Sequence, residues 1–128
     1  MESGINARAI DFAKLGRLYL HGGSFEGRQI LPEEWVDQAT RFDPSVDRSA
    51  YYPDVMDRPY GRVYHQRLWW GVQQEDGDYG FAARGNHGQE IFVHPEKRLI
   101  IVRSGERYGI PSREWLGLMM AFAEEVDR

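Results

Sequence analysis

The stretch Gly85–Val102 reads GNHGQEIFVHPEKRLIIV. It opens on two polar residues held between glycines, Gly85-Asn86-His87-Gly88, which is poor strand-forming material. It continues as a strand over 89–94, a turn at Pro95-Glu96-Lys97-Arg98 with proline preset for its first corner, and a second strand over 99–104. Leu99-Ile100-Ile101-Val102 is apolar at every position, as expected of a strand covered on both faces.

Working outward, the upstream segment QRLWWGVQQEDGDYGFAARG reads as a strand over 67–73, a hairpin signal at Asp76-Gly77 and a return strand over 79–84. The later half of the chain is therefore an antiparallel meander. The closing PSREWLGLMMAFAEEVDR reads as a helix over 112–126 with Ser112 as its cap. Trp115, Leu118, Met119, Phe122 and Val126 are its expected buried stripe.

The first forty residues are helical in pattern. Ile5-Asn6-Ala7-Arg8-Ala9-Ile10 opens a helix over 6–21, with Asn6 placed to cap it and Ile5 and Ile10 spaced as a hydrophobic staple. Gly22-Gly23 supplies its left-handed stop. A turn at Glu26-Gly27 leads to a second helix over 32–40, begun by Pro32 and by Glu33 and Glu34 at the positive end of its dipole. From 41 to 66 neither period survives and prolines at 44, 53 and 59 interrupt the chain, so this segment is expected to be irregular, although Tyr51, Tyr52, Tyr60 and Tyr64 give it packing material. The expected fold class is α+β: one domain over 1–128, an antiparallel meander flanked by helices.

Composition limits the function. The net charge is −4, and the basic residues are scattered among twenty acids, which gives no footprint for nucleic acid. No apolar run approaches the roughly 20 residues of a membrane helix. Without cysteine there is no disulfide, thiolate metal site or thiol nucleophile. Histidines at 21, 65, 87 and 94 lack the close spacing that places two imidazoles on one metal, so no cofactor is expected. The compartment is left undetermined.

The order of these elements, GINARAIDFAKLGRLYLHGGSFEGRQILPEEWV, then LWWGV, then GNHGQEIFVHPEKRLIIVRSG, then an aromatic terminal helix, resembles the C-terminal half of the β-lactamase/transpeptidase-like fold of serine hydrolases. That superfamily includes class C β-lactamases, esterases and penicillin-binding proteins. The resemblance implies acyl transfer from an ester, amide or β-lactam by a Ser-x-x-Lys serine, proton transfer at a Tyr-x-Asn or Ser-x-Asn loop, and a site-lining strand with Lys-Thr-Gly or a relaxed version of it.

Asn86-His87-Gly88 is expected to occupy that third position, with the backbone N–H of Gln89 as oxyanion donor and Gly85 and Gly88 letting substrate approach the strand without a Cβ in the way. His87 stands where the superfamily has threonine, and no lysine is present, which favours relatives with relaxed third motifs. His87 either joins the chemistry or only shapes the strand. Trp69, Trp70 and Tyr79 are candidates to line the substrate pocket. Taken alone, glycine-flanked polar residues before a strand read as a bulge or turn.

The other two motifs are absent. The only lysines are Lys14 and Lys97, preceded three positions earlier by Asp11 and His94; the only asparagines are Asn6 and Asn86, preceded two positions earlier by Gly4 and Arg84. None of the serines lies in Gly-x-Ser-x-Gly. The expectation is thus the C-terminal portion of a hydrolase, inert without an upstream half, taking a small ester or amide only when completed and able to self-associate through an exposed sheet edge. The alternatives are a non-catalytic binding or assembly module and a purely structural domain.

Overall fold

The computed structural model describes residues 4–46 and 57–126. Its frame is a six-stranded antiparallel sheet in sequential order: β3 (Asp57–Arg58), β4 (Gly61–Gln66), β5 (Trp69–Gln73), β6 (Tyr79–Gly85), β7 (Gln89–His94) and β8 (Leu99–Arg103). Before it come α1 (Ala9–Leu20), the small hairpin β1 (Ser24–Phe25) and β2 (Arg28–Gln29), and α2 (Glu33–Thr40); after it comes α3 (Trp115–Glu125). The α+β class and the flanked antiparallel meander are as the sequence indicates.

Alternation along the strands divides the core in two. On one face Trp69, Phe81, Val93 and Ile100 pack with Tyr19 and Leu20 of α1 and Ala39 of α2. On the other, Val63, Val72, Ala82 and Phe92 meet Leu116, Met119 and Met120 of α3. The helix α1 can lie this close because Gly16 faces the sheet: a Cβ there would stand 2.9 Å from Ile100 Cγ2 and 3.3 Å from Ile91 Cγ2.

Several local expectations shift. The helix α1 starts at Ala9, not at Asn6, because the carbonyl of extended Arg8 accepts the Asp11 and Phe12 N–H groups and the Arg8 side chain pairs with Asp11 at 3.0 Å. Ile5 and Ile10 are exposed and make no staple. Ser112 sits in a short 3-10 turn ahead of α3, and its Oγ accepts from Arg84 at 3.3 Å instead of capping the helix.

The buried stripe of α3 is Leu116, Met119, Met120 and Ala123, whereas Leu118 and Phe122 are 51% and 54% exposed. The helix is apolar on nearly every side, so helical spacing fits both stripes and only packing against the sheet selects one.

The segment expected to be irregular, 41–66, contains β3 and β4. Val63 and Tyr64 are both buried, on opposite faces, which removes the alternation that would have marked β4 as a strand. Tyr64 reaches Thr40 O with its hydroxyl at 2.6 Å, and Tyr60 packs on Gly117 and donates to Arg113 O at 2.6 Å. Tyr51, Tyr52 and Pro53 lie outside the described residues. The strand expected from 67 begins at Trp69, because Arg67 and Leu68 form the two-residue hairpin turn, with φ of 45° and 72°.

Candidate functional site

The Asn86-His87-Gly88 segment is the connection of the β6–β7 hairpin, a single 3-10 turn between the paired residues Gly85 and Gln89. His87 has φ 60° and Gly88 φ 79°, so the chain reverses through two left-handed residues. Histidine is among the residue types that tolerate this conformation. The Asn86 side chain holds the bend, its Oδ1 accepting the His87 N–H at 3.0 Å and the Tyr108 hydroxyl at 3.1 Å.

The Gln89 backbone N–H donates to Asn86 O and closes the turn. This is the amide expected to serve as oxyanion donor, and in this structure its acceptor is Asn86 O. The Gln89 side chain is also committed, its Nε2 donating to Gly105 O and its Oε1 accepting the Gly105 N–H at 3.1 Å.

Beneath the turn, Arg84 and Glu90 face each other across the hairpin, with Nε 2.9 Å from Oε1 and 3.1 Å from Oε2. Burial pushes the Glu90 carboxyl above the usual carboxylate range, and the guanidinium groups of Arg84 and Arg103 work against that rise. Arg84 also donates to Ser112 O and lies 5.8 Å from the Trp70 ring, which ties the hairpin to the start of α3.

The remaining predicted residues separate. Trp69 is 6% exposed in the core beneath α1, and Trp70 points to the opposite face, beside His65 and Arg84. Tyr79 begins β6, roughly 20 Å from Gly85 at about 3.3 Å per residue, with the Arg41 guanidinium 4.9 Å from its ring centre. Desolvation raises its phenol above the usual range. These three aromatics therefore line no common wall with Asn86–Gly88, and Trp69 is a core residue.

Residues that sequence reasoning missed instead surround the turn: Arg103, Gly105, Tyr108 and Trp115. The Tyr108 ring lies 6.1 Å from that of His87. The only trace in the sequence is a charged Arg103 ending an apolar strand.

A hollow of about 1050 Å³ lies at the other end of the sheet, between the β3–β4 hairpin, the β5–β6 turn and α3. It is an open groove among turn residues and not a deep cleft. Among the described residues no group of three or more His, Asp or Glu is arranged to hold a metal ion.

The antiparallel sheet in this strand order, with helices on both faces, is a fold that this chain shares with part of a larger solved structure. The chain is 26% identical over 125 residues to the 6-aminohexanoate-dimer hydrolase of Paenarthrobacter ureafaciens, covering 98% of this chain and 31% of that protein. It superposes on the solved structure of a candidate 6-aminohexanoate-dimer hydrolase from Bacillus anthracis with a TM-score of 0.65 and 23% identity, covering 94% of this chain and 29% of that one. The chain thus spans under a third of the length of these relatives. No protein-family model matches it.

Proposed function

We propose that this chain is the sheet-bearing portion of a β-lactamase-like serine hydrolase that cleaves a small amide or ester by acyl transfer, and that it is inactive alone. The observation that carries the reading is the match along nearly the whole chain to a hydrolase over three times its length. The absence of Ser-x-x-Lys and of Tyr-x-Asn from all 128 residues assigns the nucleophile and its base to sequence outside this chain.

In the reaction, a serine Oγ outside the chain attacks the substrate carbonyl carbon, the C–N or C–O bond breaks, and the leaving group departs with a proton. Water then releases the acyl group. This chain supplies a backbone donor to the oxygen that becomes negative in each half-reaction. Gln89 N–H closes the turn, His87 N–H is held by Asn86 Oδ1, and a 3-10 turn directs Gly88 N–H back toward Gly85 O, so we assign the oxyanion role to Asn86 N–H at the exit of β6.

A fluorescent serine-reactive phosphonate and a chromogenic short-chain ester or amide test the reading directly. The chain alone is expected to remain unlabelled and inactive, and to gain activity when the missing portion is supplied. Labelling of the isolated chain would overturn the assignment of the nucleophile. In the completed enzyme, an amide-to-ester replacement removing the Asn86 N–H is expected to lower kcat about 10²–10³-fold. The same replacement at Gln89 should cost less.

A further inference from the structure

Arg103 ends β8, in register with Glu90, and its guanidinium lies between two loops. Toward the β6–β7 turn, Nη1 donates to Gly88 O and, at 3.3 Å, to His87 O. Toward the loop that follows β8, Nη2 donates to Arg107 O at 2.8 Å and Tyr108 O at 3.3 Å. One face of the guanidinium stacks on the Trp115 ring, 4.2 Å from its centre, while Trp115 Nε1 donates to the same Tyr108 carbonyl at 2.9 Å.

Two glycines make room for this group. A Cβ at Gly88 or at Gly105 would stand 2.5 Å from Arg103 Nη1 in either case. A planar fork with five donors can serve carbonyls on two loops while stacking on an indole; an ammonium group offers neither plane nor fork. The turn's own fastening is local, with Gln89 N–H to Asn86 O, Gly88 N–H toward Gly85 O and His87 N–H to Asn86 Oδ1. The Gln89 side chain on Gly105 and the Tyr108 hydroxyl on Asn86 Oδ1 add ties to the neighbouring loop.

We propose that Arg103 is a positioning residue, a latch that locks the Asn86–Gly88 turn onto the 105–108 loop and thereby sets both the direction of the oxyanion donor and the placement of Tyr108 as the opposite wall of the site. The inference rests on the hydrolase reading for its consequence in catalysis, but not for the latch itself.

Amide hydrogen exchange on this chain tests the latch. In Arg103→Lys, exchange at His87, Gly88 and Gly105, whose N–H groups are hydrogen-bonded within and beside the turn, is expected to rise about tenfold, while Val72 and Phe92 in the sheet stay protected. Gly105→Ala, which displaces the guanidinium without removing it, should loosen the same amides and serves if Arg103→Lys fails to fold. Unchanged loop exchange in a folded variant would overturn the proposal.

Catalysis is read separately in the completed enzyme. There Arg103→Ala should lower kcat with little change in KM, and added free guanidinium should restore part of it. A loosened loop with undiminished kcat would overturn the positioning role. If even the unsubstituted completed enzyme were inert, the hydrolase reading would fail while the exchange result still decided the latch.

Discussion

Arg84 on β6 and Glu90 on β7 close the neck of the Asn86–Gly88 turn through an ion pair in which Arg84 Nε is shared between both Glu90 carboxylate oxygens, the Glu90 side chain being 1% exposed. Removing one partner leaves the other buried, so Arg84→Met should destabilise the chain by about 3–5 kcal/mol. Glu90→Gln should cost less, because Arg84 keeps the Ser112 carbonyl. Denaturant unfolding of both single variants and the double variant measures the coupling. Additive effects would mean that the pair contributes nothing of its own.

The same pair gives a pH dependence. Burial raises the Glu90 pKa, so the folded chain holds that proton more tightly than the unfolded chain does. Its contribution to stability is therefore greatest below the ordinary carboxylate range and is lost as pH rises through the raised folded value. Asp11, lowered by its bonds to Lys14 and Arg8, runs the opposite way and is common to both proteins. Subtracting the stability of Glu90→Gln from that of the wild type at a series of pH values should give a difference that declines with rising pH. A flat difference would refute the assignment.

Gly71 marks the closest approach on the α1 face. A Cβ there would fall 2.0 Å from Cζ of Tyr64, whose hydroxyl is anchored on Thr40 O. Gly71→Ala should cost about 3 kcal/mol by displacing the ring and its hydrogen bond. In a Tyr64→Ala background the same substitution should cost much less, which thermal unfolding of the two pairs would show.

Leu68 holds φ at 72° with its side chain 84% exposed. Leu68→Gly should stabilise the chain by about 1 kcal/mol, since the left-handed conformation is strained for a side-chain-bearing residue and free for glycine. A loss of stability in a melt would show that this leucine is covered in solution.

On the hydrolase reading, the rest of the fold would cover surface that this chain exposes. The outer edge of β8 has no strand partner among the described residues, and Leu118 and Phe122 stand out from α3. Concentration-dependent sedimentation and binding of a hydrophobic dye are expected. A compact monomer that binds no dye would count against the incomplete-fold reading.

Much of this architecture is legible in local pattern. The apolar run 99–102, the Pro95 and Asp76-Gly77 turns and the periodic stretch of α1 each carry their own signal, because turn chemistry and periodicity are properties of neighbouring residues. The strand β4 is hidden where Val63 and Tyr64 bury both of its faces, and the buried face of α3 is hidden because the helix is apolar on nearly every side. The candidate turn was visible as Gly85-Asn86-His87-Gly88, but its hydrogen bonds were not. Whether the Gln89 amide points into the turn or out of it depends on φ at His87 and Gly88, which a string of residues does not state.

Composition, periodicity and adjacency along the chain are enough for the α+β class and the antiparallel meander, and a search of the 128 residues is enough to exclude Ser-x-x-Lys and Tyr-x-Asn. The likeness to serine hydrolases is a resemblance carried by the order of the quoted segments. Folding is what sends Trp69 and Trp70 to opposite sides of the sheet, sets Tyr79 at its far end, and joins Arg103 to two loops through carbonyls 15 and 16 residues before it and 4 and 5 residues after it. A guanidinium's partners are fixed by where folding brings backbone carbonyls together, and no local spacing encodes that meeting.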